Sequence, residues 1–324
     1  MIDKQNIFFN KKRSGFSLLF FLITLGVLLI LFGVGAAFDF QIAVGIWDGL
    51  NHQEVLGRTV SGTLCNVAFF FLFTIIFSFM ICSFSYRKSK VWVTVLSIIL
   101  GVSMVGLFSY FQYDDFFIEI KKADAILNPD TNCVLPWVFM ALAWIVSWIG
   151  SFLFAWFFVC KRVNCKLMLR AGLLVIVGAC IIIGGKEFWK ILWSRPRPSS
   201  VMEDSSLLLP FRPVWEIHPF ECFNKSISKE YRDQLKSFPS GHTSAAMLMV
   251  LSTVGLSSLN IFKSKKTNYL YICLSLLLVL LIAFNRMIAR CHFLTDVTGA
   301  SILALIVSFF IPWCYKKKDG QLLW

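Results

Sequence analysis

Charge is scarce in this chain. Only 15% of its 324 residues are Asp, Glu, Lys or Arg, where a soluble domain carries roughly 25%. That deficit argues against an ordinary water-soluble fold, and the 57% hydrophobic content and mean hydropathy of +0.73 agree. Histidine is scarcer still, with His52, His218, His242 and His292 making four in all, so imidazole chemistry has few candidates. The 18 acids nowhere gather into a carboxylate cluster of the kind that holds Mg²⁺. Cysteine is not rare, but no Cys-x-x-Cys pair occurs among the ten, which removes the usual spacing of a zinc or dithiol site. Most cysteines fall inside apolar runs, where the thiol packs as a small hydrophobe. Cys133, Cys222 and Cys291 do not, and a Cys133–Cys222 bridge is an open expectation. No internal repeat and no soluble linker is visible. No cofactor is called for.

What is present is a series of apolar runs near the ~20 residues that cross a hydrocarbon core. Eight are expected as spans: Phe16–Phe38, Gly62–Phe84, Val91–Tyr113, Leu135–Cys160, Leu167–Gly185, Ser240–Phe262, Tyr269–Phe284 and Val297–Cys314. The first follows Lys11-Lys12-Arg13 and lacks a small-residue cleavage site near Phe38, so it reads as a retained helix and not a signal peptide. The fold class expected is all-α, a polytopic membrane bundle of about eight helices. Residues 1–160 would be N-terminal spans, 161–316 the half that carries the chemistry with an external loop at 186–239, and 317–324 a cytoplasmic tail.

With the N-terminus inside and the sides alternating, the cytoplasmic segments hold 17 of the 31 cations but only Asp3 and Asp319 of the acids. Every inside loop is short and basic, as the positive-inside rule requires. Both termini are therefore expected in the cytoplasm. The net charge of +13 is then a topology signal and an attraction to anionic lipid, not a nucleic-acid surface. The chain reads as an integral protein of the cytoplasmic membrane. Asp39, Asp48, Asp114, Asp115 and Glu119 read as solvated loop or rim acids.

Three strings interrupt this apolar background, all on the expected outer side. In Lys190-Ile-Leu-Trp-Ser-Arg-Pro-Arg197-Pro198, two cations lie seven apart, and the prolines end a helix near Ser194, leaving Arg197 just beyond it. A guanidinium fork and an ammonium suit phosphate oxygens; an interfacial amphipathic helix anchored by Lys186, Lys190 and Trp193 is the plainer alternative. In Pro239-Ser240-Gly241-His242, a helix start offers unpaired N–H groups, Gly241 permits close approach, Ser240 has a hydroxyl to donate, and His242 can protonate a leaving oxygen. A Ser N-cap beside an incidental His is the alternative. In Arg286-Met-Ile-Ala-Arg-Cys-His292-Phe-Leu-Thr-Asp296, helical spacing would let the Asp296 carboxylate reach the His292 ring and strengthen its other nitrogen as a nucleophile. Asp296 as a helix N-cap is the alternative there. Arg195 fits either reading.

The three strings together resemble the signature of the type-2 phosphatidic acid phosphatase superfamily, which also contains glucose-6-phosphatases and vanadium haloperoxidases. That signature is Lys, six residues, Arg-Pro; Pro-Ser-Gly-His; and Ser-Arg, five residues, His, three residues, Asp. The departure is Asn285 where Ser is usual. The resemblance implies a helical membrane core, commonly of six spans, so a further hairpin is expected among the first five. It implies His292 as the nucleophile that becomes a phosphohistidine, Asp296 as its orienting partner and His242 as the general acid. Lys190, Arg197, Ser240, Gly241 and Arg286 would hold the phosphoryl oxygens, with no metal. The expected activity is metal-independent hydrolysis of a lipid phosphate monoester or prenyl diphosphate at the extracytoplasmic membrane face, with membrane lipids as the other partners. A lipid-linked phosphotransferase would share the site. An anion transporter is a third reading, disfavoured because the polar set clusters at one edge.

Overall fold

A computed structural model describes residues 12–50, 53–86, 88–127, 135–202, 208–258 and 265–313. Each expected span coincides with helix over its described residues; 259–262 of the sixth span and Cys314 of the eighth lie outside them. These are α1 (Lys12–Gly49), α2 (Glu54–Ser83), α3 (Val91–Gln112), a fourth segment, α7 (Cys165–Trp193), α10 (Gly241–Ser258), α11 (Lys265–Ile288) and α12 (Leu294–Trp313). The fourth segment joins α5 (Leu135–Ile145) and α6 (Ser151–Phe154) through wider π-helical turns at Val146–Gly150 and Ala155–Val159. Shorter helices are α4 (Ile118–Leu127), α8 (Pro198–Val201) and α9 (Lys229–Gln234). Among the described residues there is no strand, and six helices are long and apolar enough to cross a membrane. The apolar stretch of α12, Leu294–Phe310, is shorter. α10 carries His242, Thr243, Ser244, Ser252 and Thr253 and is not among the six. The protein is an all-α polytopic membrane protein. Both chain ends lie outside the described residues, as does Cys133 with the bridge expected from it to Cys222.

Several helices overrun their expected limits. α1 continues eleven residues past Phe38, where the backbone leaves helical geometry (φ −133°, ψ 18°). α7 runs through Lys186 and Lys190 to Trp193, so the expected external loop starts at Ser194 and not at 186. The hydropathy of Lys186, Glu187 and Lys190 marks the end of a hydrocarbon run, but an α-helix ends only where its backbone bonds do.

α2 and α10 form the centre. α2 packs against α3, α4, α7, α10 and α11; α10 packs against α2, α7, α11 and α12; α1 lies along α12. Their contact faces are dry and apolar, with Cys65, Phe69, Leu72, Phe73 and Ile76 of α2 meeting Ala245, Leu248 and Val250 of α10 in one cluster. Gly57 sets the approach of α2 to α11, since a Cβ there would stand 2.6 Å from the Asn285 carbonyl oxygen. The outward faces of α1, α3 and the fourth segment are exposed Leu, Ile, Val, Phe and Trp, including Ile30, Trp92, Ile99 and Trp156. Such a belt is stable against lipid tails and not against water.

Candidate active site

The end of α7 begins the site. Ser194 adopts a left-handed conformation (φ 43°), unusual for a residue with a Cβ. Its N–H donates to the Lys190 carbonyl at 3.0 Å, and its hydroxyl donates to Ile191 O at 3.1 Å while accepting from Cys222 N–H at 3.1 Å. Pro196 and Pro198 prevent the helix from resuming at once. The turn sends Arg195 inward, where it is wholly buried. Arg195 Nη1 donates to Asp296 Oδ1 and Thr295 Oγ1, both at 2.7 Å; Nη2 donates to Asp39 Oδ2 at 2.9 Å; Nε donates to Arg212 O at 2.9 Å. The guanidinium carbon lies 4.4 Å from the Phe293 ring centre. Asp39 is thus no solvated acid. The break after Phe38 turns it onto the start of α12, where it accepts from Thr295 N–H at 3.0 Å and from the Thr295 hydroxyl. An anion suits that helix end.

His292 precedes α12 and is 3% exposed. Its Nδ1 lies 2.8 Å from the Ser237 carbonyl oxygen. A carbonyl only accepts, so Nδ1 carries the hydrogen and Nε2 keeps its lone pair. Burial pushes the imidazole down to about 4, with Arg286 and Arg197 adding to the effect and Asp296 opposing it. At neutral pH the ring is uncharged.

The helical contact expected between Asp296 and His292 takes a different form. Asp296 Oδ2 is 3.8 Å from Nδ1, beyond hydrogen-bond reach. The two residues do not share a helix, because α12 starts at Leu294. Asp296 sits at the third helical position and accepts from Phe293 N–H at 2.8 Å, which is the carboxylate half of a capping box. It also accepts from the Ser237 hydroxyl. Ser237 therefore links the two, with its hydroxyl on Asp296 and its carbonyl on His292. No motif pointed to Ser237, since its backbone makes the decisive contact and any residue has a carbonyl.

Ser240 N–H donates to the Asp296 carbonyl at 3.0 Å, which ties the Pro-Ser-Gly-His string to the start of α12. The Ser240 oxygen accepts from Thr243 Oγ1 at 2.9 Å, leaving its own hydrogen to donate. Gly241 opens α10 and is buried; His242 follows it and is 5% exposed. Arg286, 1% exposed, meets Glu119 Oε2 at 3.0 Å and Ser61 Oγ at 3.4 Å. Arg197 holds its backbone N–H on Gln234 O at 2.9 Å. Lys190 Nζ lies 3.3 Å from Glu187. Arg197 Nε and Arg286 Nε are among several buried polar atoms, Arg232 Nε included, that have no hydrogen-bond partner among the described residues.

Residues 168–319 match the family model described as PAP2 superfamily. Over this segment, just under half of the chain, the protein is similar to the PAP2 superfamily. Its members are phosphatases and related hydrolases, and the match spans all three strings. No curated protein and no solved structure gives a significant match to the chain.

Three residues that brace the PAP2 segment lie outside it. Asp39 has been described. Glu119, on α4, is 3% exposed and no rim acid; it accepts from Arg58 Nη1 at 2.7 Å as well as pairing with Arg286. Burial alone would raise its carboxyl, yet Arg286, Arg58 and His242 hold it well below the usual carboxylate range. Arg58, on α2, also takes Glu54 at 2.7 Å. The cue available for Glu119 was a lone acid beside an apolar stretch, and its partners stand 61 and 167 positions away. The side chains of Asp114 and Asp115 lie outside the described residues.

Proposed function

We propose that this integral membrane protein hydrolyses the phosphate monoester or diphosphate of a membrane lipid without a metal, at the extracytoplasmic face of the cytoplasmic membrane. The observation that carries the reading is a neutral, buried His292 with its Nε2 lone pair unspent, within the electrostatic reach of the buried Arg286 and the half-buried Arg197, whose Nε atoms have no hydrogen-bond partner among the described residues. Such a pocket attracts a tetrahedral anion and offers it a nucleophile. The short basic loops expected inside support this side of the membrane.

In this reading Nε2 of His292 attacks phosphorus, and the phosphoryl group passes to the ring. Arg197, Arg286 and Lys190 hold the phosphoryl oxygens, with the Ser240 hydroxyl and the N-terminus of α10 at Gly241 completing the cradle. His242 gives a proton to the departing oxygen. Water then cleaves the phosphohistidine. Asp296, through Ser237, keeps the Nδ1 hydrogen directed away from phosphorus and stabilises the charge that the ring gains. Phosphoryl transfer depends chiefly on such positioning and charge.

Phosphate release from a panel of detergent-solubilised lipid phosphates, in EDTA, tests this. His292→Ala should lower turnover by about 10³-fold or more and abolish an acid-labile phosphoenzyme. Equal release by the two proteins would dismiss His292 as nucleophile. Product that depends on an added lipid acceptor would identify a phosphotransferase instead.

A further inference from the structure

The loop that follows α7 is arranged inside out for a segment in water. Arg212 and Glu221 close on each other in a two-point ion pair, with side chains only 11% and 23% exposed. His218 comes within 3.8 Å of Glu221 and 4.0 Å of Glu216. The polar side chains thus gather on one another. Trp215 and Phe220, each 63% exposed, stand outward with Ile217 and Phe223. A solvated loop does the reverse, and four large apolar side chains displayed together mark a contact surface.

These side chains are held in place. The Trp193 indole N–H donates to Val214 O at 2.6 Å, His218 N–H donates to Trp193 O at 3.3 Å, and Phe220 N–H donates to Ile191 O at 3.0 Å. Phe220 is itself left-handed (φ 63°), which a residue with a Cβ keeps only where its surroundings impose it. The loop is therefore a fixed surface strapped to the last turn of α7, not a tether free to fold its aromatic rings away.

Where that strap lies decides what covers it. A hydrocarbon core takes about 20 residues of helix, so α7, entering at Leu167, leaves it near Glu187, where Lys186, Glu187 and Lys190 cluster. Ile191 stands about 6 Å farther at 1.5 Å per residue, in the headgroup layer. Leu173, Val177, Ile181 and Phe188 form one exposed stripe of α7, and Ile191, about five turns after Leu173, continues it. The loop thus extends, at its far end, the surface that α7 gives to lipid. We propose that residues 213–223 lie in the headgroup layer at this end of α7, with Trp215, Ile217, Phe220 and Phe223 turned into the boundary of the acyl chains. The partner is the lipid leaflet itself. The loop also carries Arg212 O, which accepts from Arg195 Nε, so contact with the leaflet fixes the depth at which the Arg195 side chain and its carboxylates sit. This placement does not depend on the phosphatase reading.

The experiment uses the full-length protein in nanodiscs of phosphatidylcholine and phosphatidylglycerol, one copy per disc. Ile217→Cys, Phe220→Cys and Lys225→Cys are each treated with a membrane-impermeant maleimide. Labelling is read peptide by peptide from mass, so the native cysteines do not interfere. Lys225 is exposed and charged, and position 225 is the solvated reference. Labelling at 217 and 220 should be about tenfold or more slower than at 225, because an apolar surrounding excludes the reagent and raises the thiol pKa. Equal rates would overturn the proposal. Protection that appears only with two copies in a disc would assign the surface to a second copy and overturn it too. Trp215→Phe gives a reading without an added cysteine: brominated acyl chains should quench more emission in the wild type than in this variant. An equal quenched amount would put Trp215 outside the lipid and count against the placement.

Discussion

Arg195 and Arg286 are two buried arginines in one active-site region, and they are used in opposite ways. Arg195 spends its donors at close range on two carboxylates, a hydroxyl and a carbonyl, all within 2.9 Å. Arg286 makes one ion pair at 3.0 Å and longer contacts at 3.4 Å, with Nε unpaired. A guanidinium with four of its five N–H donors held at close range fixes structure. One with donors unspent is ready for an anion. The contrast separates a clamp, joining α1 to the start of α12, from the proposed phosphate contact, which Glu119 and Ser61 steady.

Substitutions can break or sharpen that contrast. The largest effect is expected for Arg195→Met, which strands Asp39 and Asp296 as buried carboxylates and should cost about 3–5 kcal/mol of stability, read from thermal unfolding in detergent. Arg286→Met leaves Glu119 paired with Arg58, so its effect should fall on chemistry. A loss of about 10²–10³-fold in kcat/KM is expected, with an unfolding shift smaller than that of Arg195→Met. If the two variants behave alike in both measurements, the distinction between clamp and contact is wrong. Glu119→Gln loosens Arg286 without removing it, and a loss of about tenfold in kcat/KM is expected.

The pH profile probes the same cations. In the proposed mechanism His292 reacts as the neutral ring, and burial with Arg286 and Arg197 lowers its folded value to about 4, from about 6.5 for a free imidazole. The acid limb of kcat/KM assigned to this group should therefore lie near pH 4 and not near 6.5. Arg197→Gln should move it upward, because one repelling cation is gone. Stability carries the same sign: the unfolded chain binds the proton more tightly between these values, so the contribution present above pH 6.5 is lost as pH falls toward 4. A limb that stays fixed in Arg197→Gln would detach Arg197 from the His292 pocket. The smallest effect belongs to Asn285→Ser. The Asn285 amide donates to the Leu281 carbonyl one turn back, at 2.8 Å, and a serine hydroxyl makes the same kind of bond, so kcat/KM should stay within about threefold.

The helices and the three strings were legible because both are local. A run of apolar side chains announces a span, and the order Pro-Ser-Gly-His can be read without knowing its neighbours. The clamp and the brace were not legible. Asp39 finds Arg195 156 positions later and Thr295 256 positions later, and as single acids beside apolar runs Asp39 and Glu119 look like solvated ends. The four-residue spacing of His292 and Asp296 does bring the side chains within 3.8 Å, but not as neighbours on one helix, because α12 starts between them.

By itself, the sequence determined that this chain enters a membrane as helices and that its imidazoles, cations and carboxylate keep the order of a phosphate site. Hydrophobic length and residue identity suffice for both. Only the tertiary structure decided which charges are consumed and which are left over. That depends on the break in α1, the left-handed turn at Ser194 and the docking of α4 against α2, which set how near each carboxylate comes to each guanidinium. The energy of a buried charge depends on that distance, and the distance is not written in any one segment.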